Sequence, residues 1–241
     1  MLSTLRQRYR ELGPADTLLK ALDAGLRRLH RRLGLARYYL MAQPVPERPL
    51  LSRGRGSLAI RALASGDPAL AQLPRPRAVI DERLEAGGLC LAALSPGDGR
   101  LLGSLWLLFA PCREPEHRCL LRPPAAPPCA LDVDVYIAPE ARGGLTFVQL
   151  WDAANARLRE RGIEWSLSRI SAFNPRSLRA HERLGARRTG SLLYLELGAY
   201  ELLCSTQRPY LAVTRPGGPL PPVTVSPPAP RPEAAPSSSA R

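Results

Sequence analysis

Apolar and acidic residues alternate from Leu131 to Ile137 (LDVDVYI), and a period of two is typical of a β-strand. A turn follows at residues 139–144, and apolar positions at helical spacing then continue through Leu158. A second strand is predicted from Ile163 to Phe173, and a second helix begins at Pro175. Together these elements predict a βαβα unit in which the N-terminus of the first helix is free to hold an anion.

Shorter elements precede this unit. The pattern predicts a strand at 57–63, one or two short helices within 69–84, and two apolar strands at 89–94 and 101–109. The last two strands enclose the sequence SPGDG at 95–99, which is a strong hairpin signal. These residues therefore begin a domain that the βαβα unit continues.

Composition changes at both ends of the chain. Two more short strands are predicted at 191–197 and 200–204, whereas the chain from Arg215 onward is rich in Pro, Ala and Ser and predicts a disordered tail. Near the other end, residues 35–54 read as an extended connector. The predicted organisation is a helical arm with connector, one α/β domain and a disordered tail, at residues 1–54, 55–206 and 207–241.

The arm contains an amphipathic helix at residues 15–34. Its apolar stripe consists of leucines spaced by three or four residues, namely Leu18, Leu22, Leu26, Leu29 and Leu33. Arginines 27, 28, 31 and 32 crowd its C-terminal half, where cations complement the helix dipole. Two interpretations stay open: a helix that touches a membrane surface or a partner, and a helix packed on its own domain.

Composition narrows the class of protein. The hydrophobic fraction of 45% suits a globular core, and no run approaches the roughly 18 apolar residues that span a bilayer. Arginines interrupt the N-terminus before a signal peptide could form, so we expect a cytoplasmic protein, with peripheral membrane contact as an option. The net charge of +13 attracts acidic partners, but no aromatic-basic interleaving indicates specific nucleic-acid binding.

Five scattered cysteines favour free thiols in a reducing compartment. A zinc site would have to use Cys112, His117, Cys119 and Cys129, but no C-x-x-C pair is present, so no metal is expected. The irregular segment at 110–128 is instead expected to cover a substrate site, because long loops without secondary structure tend to be functional.

The glycine turn of the central unit suits phosphate binding. Arg142, Gly143 and Gly144 precede a helix that begins around Leu145 and Thr146. A helix N-terminus offers unpaired N–H groups and a partial positive charge, and glycines let a phosphate approach them. A glycine-rich turn without any ligand is the alternative.

The second helix carries a more specific pattern. Asn174, Ser177, His181 and Gly185 lie at offsets of zero, three, seven and eleven. On a helix that begins at Pro175, the last three share one stripe, and Asn174 stands at the N-cap.

This pattern, N-x-x-S-x-x-x-H-x-x-x-G, resembles the C-terminal motif of the GNAT superfamily of N-acetyltransferases. The preceding P-E-A-R-G-G resembles the pyrophosphate-binding turn of that superfamily, written Q/R-x-x-G-x-G/A, although Thr146 and Phe147 stand where a second small residue is expected. The resemblance covers roughly residues 57–205. It implies an α/β (α+β) fold with a mixed central sheet of six to seven strands flanked by helices.

The resemblance also implies a ligand and its contacts. Acetyl-CoA would donate the acetyl group to an amine acceptor, whose identity the sequence does not reveal. The backbone of Val135, Tyr136 and Ile137 would pair with the pantetheine arm, in a gap where the strand from Leu131 splays from the strand at Ile163. The residues expected around the phosphates and the second helix N-terminus are Arg142, Gly143, Gly144, Leu145, Thr146, Asn174 and Ser177.

Three side chains are the predicted catalytic groups. By resemblance, His181 is the acid that protonates the leaving thiolate, and histidine titrates in the right range for this role. Asp132 and Asp134 alternate with valines, so both are expected on one face, where either could deprotonate the amine. Glu116 is a further candidate base. A packed helix histidine and a solvated strand face are the alternatives, and a catalytically degenerate member that binds a partner or anionic membrane is the alternative function.

Overall fold

The computed structural model describes residues 12–51 and 58–228. In these residues, nine strands form one sheet in the order β11-β10-β9-β1-β8-β7-β4-β3-β2, and a smaller sheet has the order β12-β6-β5. The strands are β1 (Leu33–Pro44), β2 (Ala59–Leu63), β3 (Leu89–Leu94), β4 (Leu101–Leu108), β5 (Cys112–Arg113), β6 (Leu120–Arg122), β7 (Cys129–Ile137), β8 (Trp165–Ser171), β9 (Arg187–Leu197), β10 (Tyr200–Ser205), β11 (Leu211–Thr214) and β12 (Pro222–Thr224). The helices are α1 (Pro14–Leu29), α2 (Arg77–Glu85), α3 (Thr146–Glu160) and α4 (Pro175–Arg183), with 3₁₀ turns at Pro68–Gln72 and Pro139–Ala141.

The large sheet is mixed, as the sequence predicted. Strands β7 and β8 are parallel, and every other neighbouring pair that the structure describes in this sheet is antiparallel. The βαβα unit is the crossover from β7 through α3 to β8, followed by α4. The predicted α/β class is confirmed, but the sheet has nine described strands where six to seven were expected.

Two of the additional strands lie outside the predicted domain. β1 occupies residues that the sequence analysis assigned to the helix end and the connector, and that assignment is wrong for residues 33–44. β1 pairs with β9 on one side and β8 on the other, and Leu40, Met41 and Ala42 are fully buried. A strand covered on both faces has no alternation of apolar and polar residues, which explains why the pattern did not reveal it.

The predicted tail is also ordered in part. The expectation of a disordered tail at 207–241 is wrong for residues 207–228, which include β11 and β12, and residues 229–241 lie outside the described part. β12 pairs with β6 in parallel, and Val223 and Val225 are buried against the core. The segment at 110–128, expected to be irregular, supplies β5 and β6 of this small sheet.

Helices cover the two faces of the large sheet differently. α3 packs its apolar side, with Leu150 and Trp151, against Leu105 and Leu107 of β4 on one face. α2 and the 3₁₀ turn before it pack on the opposite face around Trp106. Burial of each such side chain contributes about 1.5–3 kcal/mol, so the two layers fix the sheet between them.

Helix α1 packs in an unexpected orientation. Its carboxylates point to the sheet: Asp16 accepts hydrogen bonds from Arg37 at 3.1 Å and from the Tyr39 hydroxyl at 2.7 Å. Three leucines of its stripe face outward: Leu18, Leu22 and Leu29 are 62%, 48% and 80% exposed. The interpretation of α1 as a helix packed on its own domain is therefore confirmed, but the packing uses its carboxylates rather than the leucine stripe.

Candidate functional site

The parallel strands β7 and β8 separate partway along their length. Their pairing runs from Cys129 and Trp165 to Asp132 and Ser168, although β7 continues to Ile137. The strands separate because each follows its other neighbour: β4 stays paired with β7, and β1 stays paired with β8. The predicted splay is thus present, and it lies at the carboxyl ends of parallel strands, where α/β proteins bind ligands.

The free edge of β7 in this cleft is its C-terminal half. Val135, Tyr136 and Ile137 are all partly exposed there, while their other edge pairs with Gly103 to Leu105 of β4. Apart from the Ile137 carbonyl, which accepts a hydrogen bond from Arg142, the backbone N–H and C=O groups on the cleft side are available to an extended ligand, which would pair as an additional strand.

The glycine turn reaches the same end of the cleft. Gly143 has φ +83°, and a Cβ atom built on it would meet nothing within 4 Å, so the backbone conformation rather than space requires glycine. Leu145 is the exposed N-cap residue of α3, and Thr146 begins the helix. The guanidinium Nε of Arg142 donates to the carbonyl of Ile137 at 3.2 Å and holds the turn against the end of β7.

The second helix begins as predicted. Asn174 is the N-cap of α4, and its Oδ1 accepts a hydrogen bond from the backbone N–H of Ser177 at 3.1 Å. Asn174 itself is exposed. The N-termini of α3 and α4 thus follow β7 and β8 respectively, and both lie at the carboxyl ends of these two central strands.

His181 joins α4 to β7. Its side chain is almost fully buried, with Nε2 3.2 Å from Asp132 Oδ2 and Nδ1 2.9 Å from the carbonyl of Ser177. Both neighbours are hydrogen-bond acceptors, so the arrangement favours an imidazolium that donates from both nitrogens. Burial lowers the pKa of His181, but the hydrogen bond and charge of Asp132 and the Ser177 carbonyl outweigh it and raise this pKa above its ordinary value.

Two aromatic side chains of α3 pack against the imidazole ring of His181. Phe147 and Trp151 of α3 meet the imidazole edge-on, with ring centroids 5.4 and 5.7 Å away. Phe147, which stands where the family motif has a small residue, therefore packs on the histidine stripe of α4. His181 is enclosed between α3, α4 and β7.

Asp132 and Asp134 face opposite sides of the sheet, so the prediction that they share one face is wrong. The pairing with β4 shifts between them: Leu107 pairs with Asp132, Trp106 pairs with Asp134, and Val133 is the extra residue of a β-bulge. Asp132 therefore points to the α4 side and reaches His181, whereas Asp134 points to the α2 side.

Two guanidinium groups hold Asp134. Arg75 Nη2 lies 2.6 Å from Oδ1, and Arg83 Nη1 lies 3.0 Å from Oδ2. Burial raises the pKa of Asp134, but the hydrogen bonds and charges of Arg75 and Arg83 outweigh it, so this pKa lies below its ordinary value. Asp134 is thus a charge partner of two arginines rather than a free base.

A cavity of about 160 Å³ opens beside the cleft on the α2 side of the sheet. Its walls come from α2, the small sheet and the separating strands, and they include Arg83, Glu114, Asp132, Arg169 and Val225. Glu114 and Arg169 form an ion pair in the cavity wall, with Oε1 and Nη2 2.5 Å apart. Sequence reasoning missed both residues, because neither lies in a motif.

Glu116, the further candidate base, lies beside this pair but is mostly exposed. It accepts from the Tyr38 hydroxyl at 2.7 Å and from Arg169 Nη2 at 3.2 Å. Burial raises the pKa of Glu116, but Tyr38 and Arg169 together hold it below its ordinary value.

The residues weighed as zinc ligands have other partners. His117 Nδ1 lies 2.9 Å from Glu201, Cys119 Sγ lies 3.1 Å from the Tyr194 hydroxyl, and Cys129 Sγ donates to the carbonyl of Pro127. All five cysteines are free thiols. Among the described residues, these four side chains do not form a group within reach of one metal ion.

Neither a protein-family model nor a curated protein matches the chain. Among solved structures, it is similar to a GNAT-family acetyltransferase from Novosphingobium aromaticivorans (18% identity, TM-score 0.46), with 68% of this chain and 65% of that chain covered. A Drosophila protein (15% identity, TM-score 0.47) is covered over 56% of its length and 74% of this chain. The chain thus spans less than two thirds of either.

An aminoglycoside N-acetyltransferase, AAC(6′)-Iy, solved in complex with CoA, is also similar, with 20% identity, a TM-score of 0.41 and coverage of 54% of this chain and 92% of that one. GNAT-family acetyltransferases are therefore among the solved structures to which this chain is similar. All three structures have TM-scores below 0.5 and identities of 20% or less. Within the described residues, no helix has the length and apolar content to cross a membrane.

Proposed function

We propose that the protein is an acyl-CoA-dependent N-acyltransferase that transfers an acetyl group from acetyl-CoA to an amine. The observation that carries this proposal is the cleft between β7 and β8, with the N-termini of α3 and α4 at its end. An extended thioester ligand with an anionic end fits a free strand edge that leads to a helix N-terminus.

In this proposal, the pantetheine arm pairs with the free edge of β7 at Val135, Tyr136 and Ile137. The pyrophosphate binds the backbone N–H groups at residues 143–146, and Arg142 contributes its positive charge. Asn174 and Ser177 hold the other wall of the cleft at the start of α4.

The reaction is a direct attack of the neutral amine on the thioester carbonyl. A C–N bond forms, the C–S bond breaks, the amine gives up a proton and the thiolate leaves and takes one up. We assign His181 and Asp132 to this site as a coupled pair that positions β7 beside the thioester. Delivery of a proton from His181 to the thiolate would require its Nε2–H to break the hydrogen bond to Asp132. The main role of the pair is therefore to hold β7 in position beside the thioester.

Equilibrium binding of acetyl-CoA, measured by calorimetry, tests the proposal. Gly143→Asp places a carboxylate at the phosphate site and should raise the Kd at least tenfold, which is about 1.4 kcal/mol. Gly66→Asp is the matched control, because Gly66 has φ +84° and equally open surroundings but lies in the turn after β2 at the far edge of the sheet. Failure of the wild-type protein to bind acetyl-CoA would reject the proposal.

The orientation of α1 favours a second function, association with an anionic membrane. Leu18, Leu22 and Leu29 are exposed on a helix whose carboxylates are turned to the sheet, and the arginines at 28, 31 and 32 are exposed beside them. Exposed leucines flanked by arginines are the combination with which a helix lies on an acidic lipid surface. We propose that α1 makes this contact.

Vesicle sedimentation tests the membrane contact. The protein should bind vesicles that contain phosphatidylglycerol more strongly than neutral phosphatidylcholine vesicles, and Leu22→Gln with Leu29→Gln should reduce that binding severalfold. Leu211→Gln is the matched control, since Leu211 is 63% exposed on β11. Equal loss in the control, or concentration-dependent dimerisation through the leucines without vesicle binding, would overturn this assignment.

A further inference from the structure

The cavity beside the cleft carries charges of both signs. Glu114 and Arg169 form its buried pair, and Arg83 lies in the opposite wall on α2. Arg83 is paired with Asp134 and Asp132 with His181, and Glu82 and Arg113 are exposed. Glu114 and Arg169 are therefore the largely buried charges that remain to recognise a ligand. The cavity also borders Asp132 and Val133, where β7 and β8 separate, so a molecule bound in it lies next to the cleft.

One carboxylate oxygen of Glu114, Oε2, is without a hydrogen bond among the described residues and is open to a ligand. Its Oε1 accepts from Arg169 Nη2 at 2.5 Å and from the backbone N–H of Glu116 at 3.2 Å. Within residues 12–51 and 58–228, no hydrogen bond to Oε2 is formed. Burial raises the pKa of Glu114 above its ordinary value, so a cationic group beside it would relieve an incompletely compensated carboxylate.

One nitrogen of Arg169 is unpaired but has almost no accessible surface, so a ligand oxygen reaches it only when the side chain turns toward the cavity. Its Nη2 serves Glu114 and Glu116, and its guanidinium carbon lies 3.6 Å from the centroid of the Tyr38 ring. Its Nη1 is fully buried and has no acceptor among the described residues. A buried donor without an acceptor costs about 1–3 kcal/mol, and an anionic oxygen would recover that cost.

We propose that the cavity binds the acceptor, and that the acceptor is a small amino acid whose ammonium group meets Glu114 and whose carboxylate meets Arg169. The two groups lie side by side, so they match an ammonium and a carboxylate separated by one carbon. A volume of about 160 Å³ suits a molecule of this size, since a cavity of about 150 Å³ accommodates benzene. This inference rests on the proposed acetyl transfer and names its substrate class.

The test compares acceptors that differ only in their anionic group. Glycine, L-alanine and L-serine are offered with acetyl-CoA, alongside glycinamide, L-alaninamide and L-serinamide, and thiol release is followed. The wild-type kcat/KM should be at least tenfold higher for the best amino acid than for its amide. Faster or equal turnover of the amide overturns the assignment.

Two variants assign the recognition to the named residues. Arg169→Lys keeps the charge but loses the second nitrogen, and should reduce the preference for the acid over the amide to about threefold or less. Glu114→Gln should raise the KM for the amino acid about tenfold. An unchanged preference in Arg169→Lys, or an unchanged KM in Glu114→Gln, overturns the proposal.

Acetyl-CoA binding is measured in parallel on the wild-type protein and both variants. Normal acetyl-CoA binding without turnover of any amino acid rejects the amino-acid class and leaves the transferase proposal standing. If the wild-type protein does not bind acetyl-CoA, both the amino-acid class and the transferase proposal are rejected. A thermal unfolding curve for each variant confirms that the comparison is made on folded protein.

Discussion

The imidazole Nε2 of His181 lies 3.2 Å from Asp132 Oδ2, and both side chains are buried. This contact ties the middle of α4 to β7 at the residue where the pairing of β7 with β8 ends. The pair therefore fixes the position of one wall of the cleft, whatever its part in proton transfer.

Replacement of His181 by Gln should lower the free energy of unfolding by about 3–5 kcal/mol, because Asp132 would keep a buried charge without its cation. Urea denaturation at pH 6 measures this change. His30→Gln is the control, since His30 is exposed and its loss should change stability by no more than about 0.5 kcal/mol. A similar small effect at His181 would mean that the pair is not ionic.

The raised pKa of His181 predicts a pH dependence of stability. A histidine whose pKa is higher in the folded than in the unfolded protein stabilises fully below its ordinary pKa of 6.5. That stabilisation is lost as the pH rises through the raised value. The difference in unfolding free energy between the wild-type protein and His181→Gln should therefore shrink from pH 6 toward pH 9, and a constant difference would contradict the assignment.

Asp134→Asn should destabilise the protein by about 1.5–3 kcal/mol at pH 7, because Arg75 and Arg83 lose their charged partner. The pKa of Asp134 is lowered in the folded state, so its stabilisation is present above its ordinary pKa of 3.8 and is lost as the pH falls below that value. Unfolding curves at pH 7 and pH 3 measure both effects. Glu85→Gln, at an exposed side chain of α2, should change stability at pH 7 by no more than about 0.5 kcal/mol.

Val223 tests whether the segment after residue 214 belongs to the folded core. Val223→Ala removes two buried methyl groups and should cost about 1–3 kcal/mol, whereas Val213→Ala, at a side chain that is 65% exposed, should cost less than about 0.5 kcal/mol. Equal effects in thermal denaturation would show that β12 does not pack as described.

The local elements of the site could be predicted from the sequence. Strand β7, the helix beginning at Pro175 and the Asn174 cap each depend on neighbouring residues, and each is present where the pattern places it. Periodicity and capping express forces that act within one element, so they can be read along the chain.

The faces of the site depend on tertiary structure. Alternation predicts that Asp132 and Asp134 share a face, but the bulge at Val133, which appears only when β7 pairs with β4, separates them. Glu114 and Arg169 lie 55 residues apart and meet only because the small sheet folds over β8. No pattern within one segment records such a contact.

By itself, the sequence determined a βαβα unit with two helix N-termini at one edge, because those features follow from local propensity and spacing. The tertiary structure decided that residues 33–44 would lie in the middle of the sheet, that His181 would be buried on Asp132, and that a cavity with opposite charges would open beside the cleft. The physical reason is that strand pairing and long-range packing depend on which segments meet.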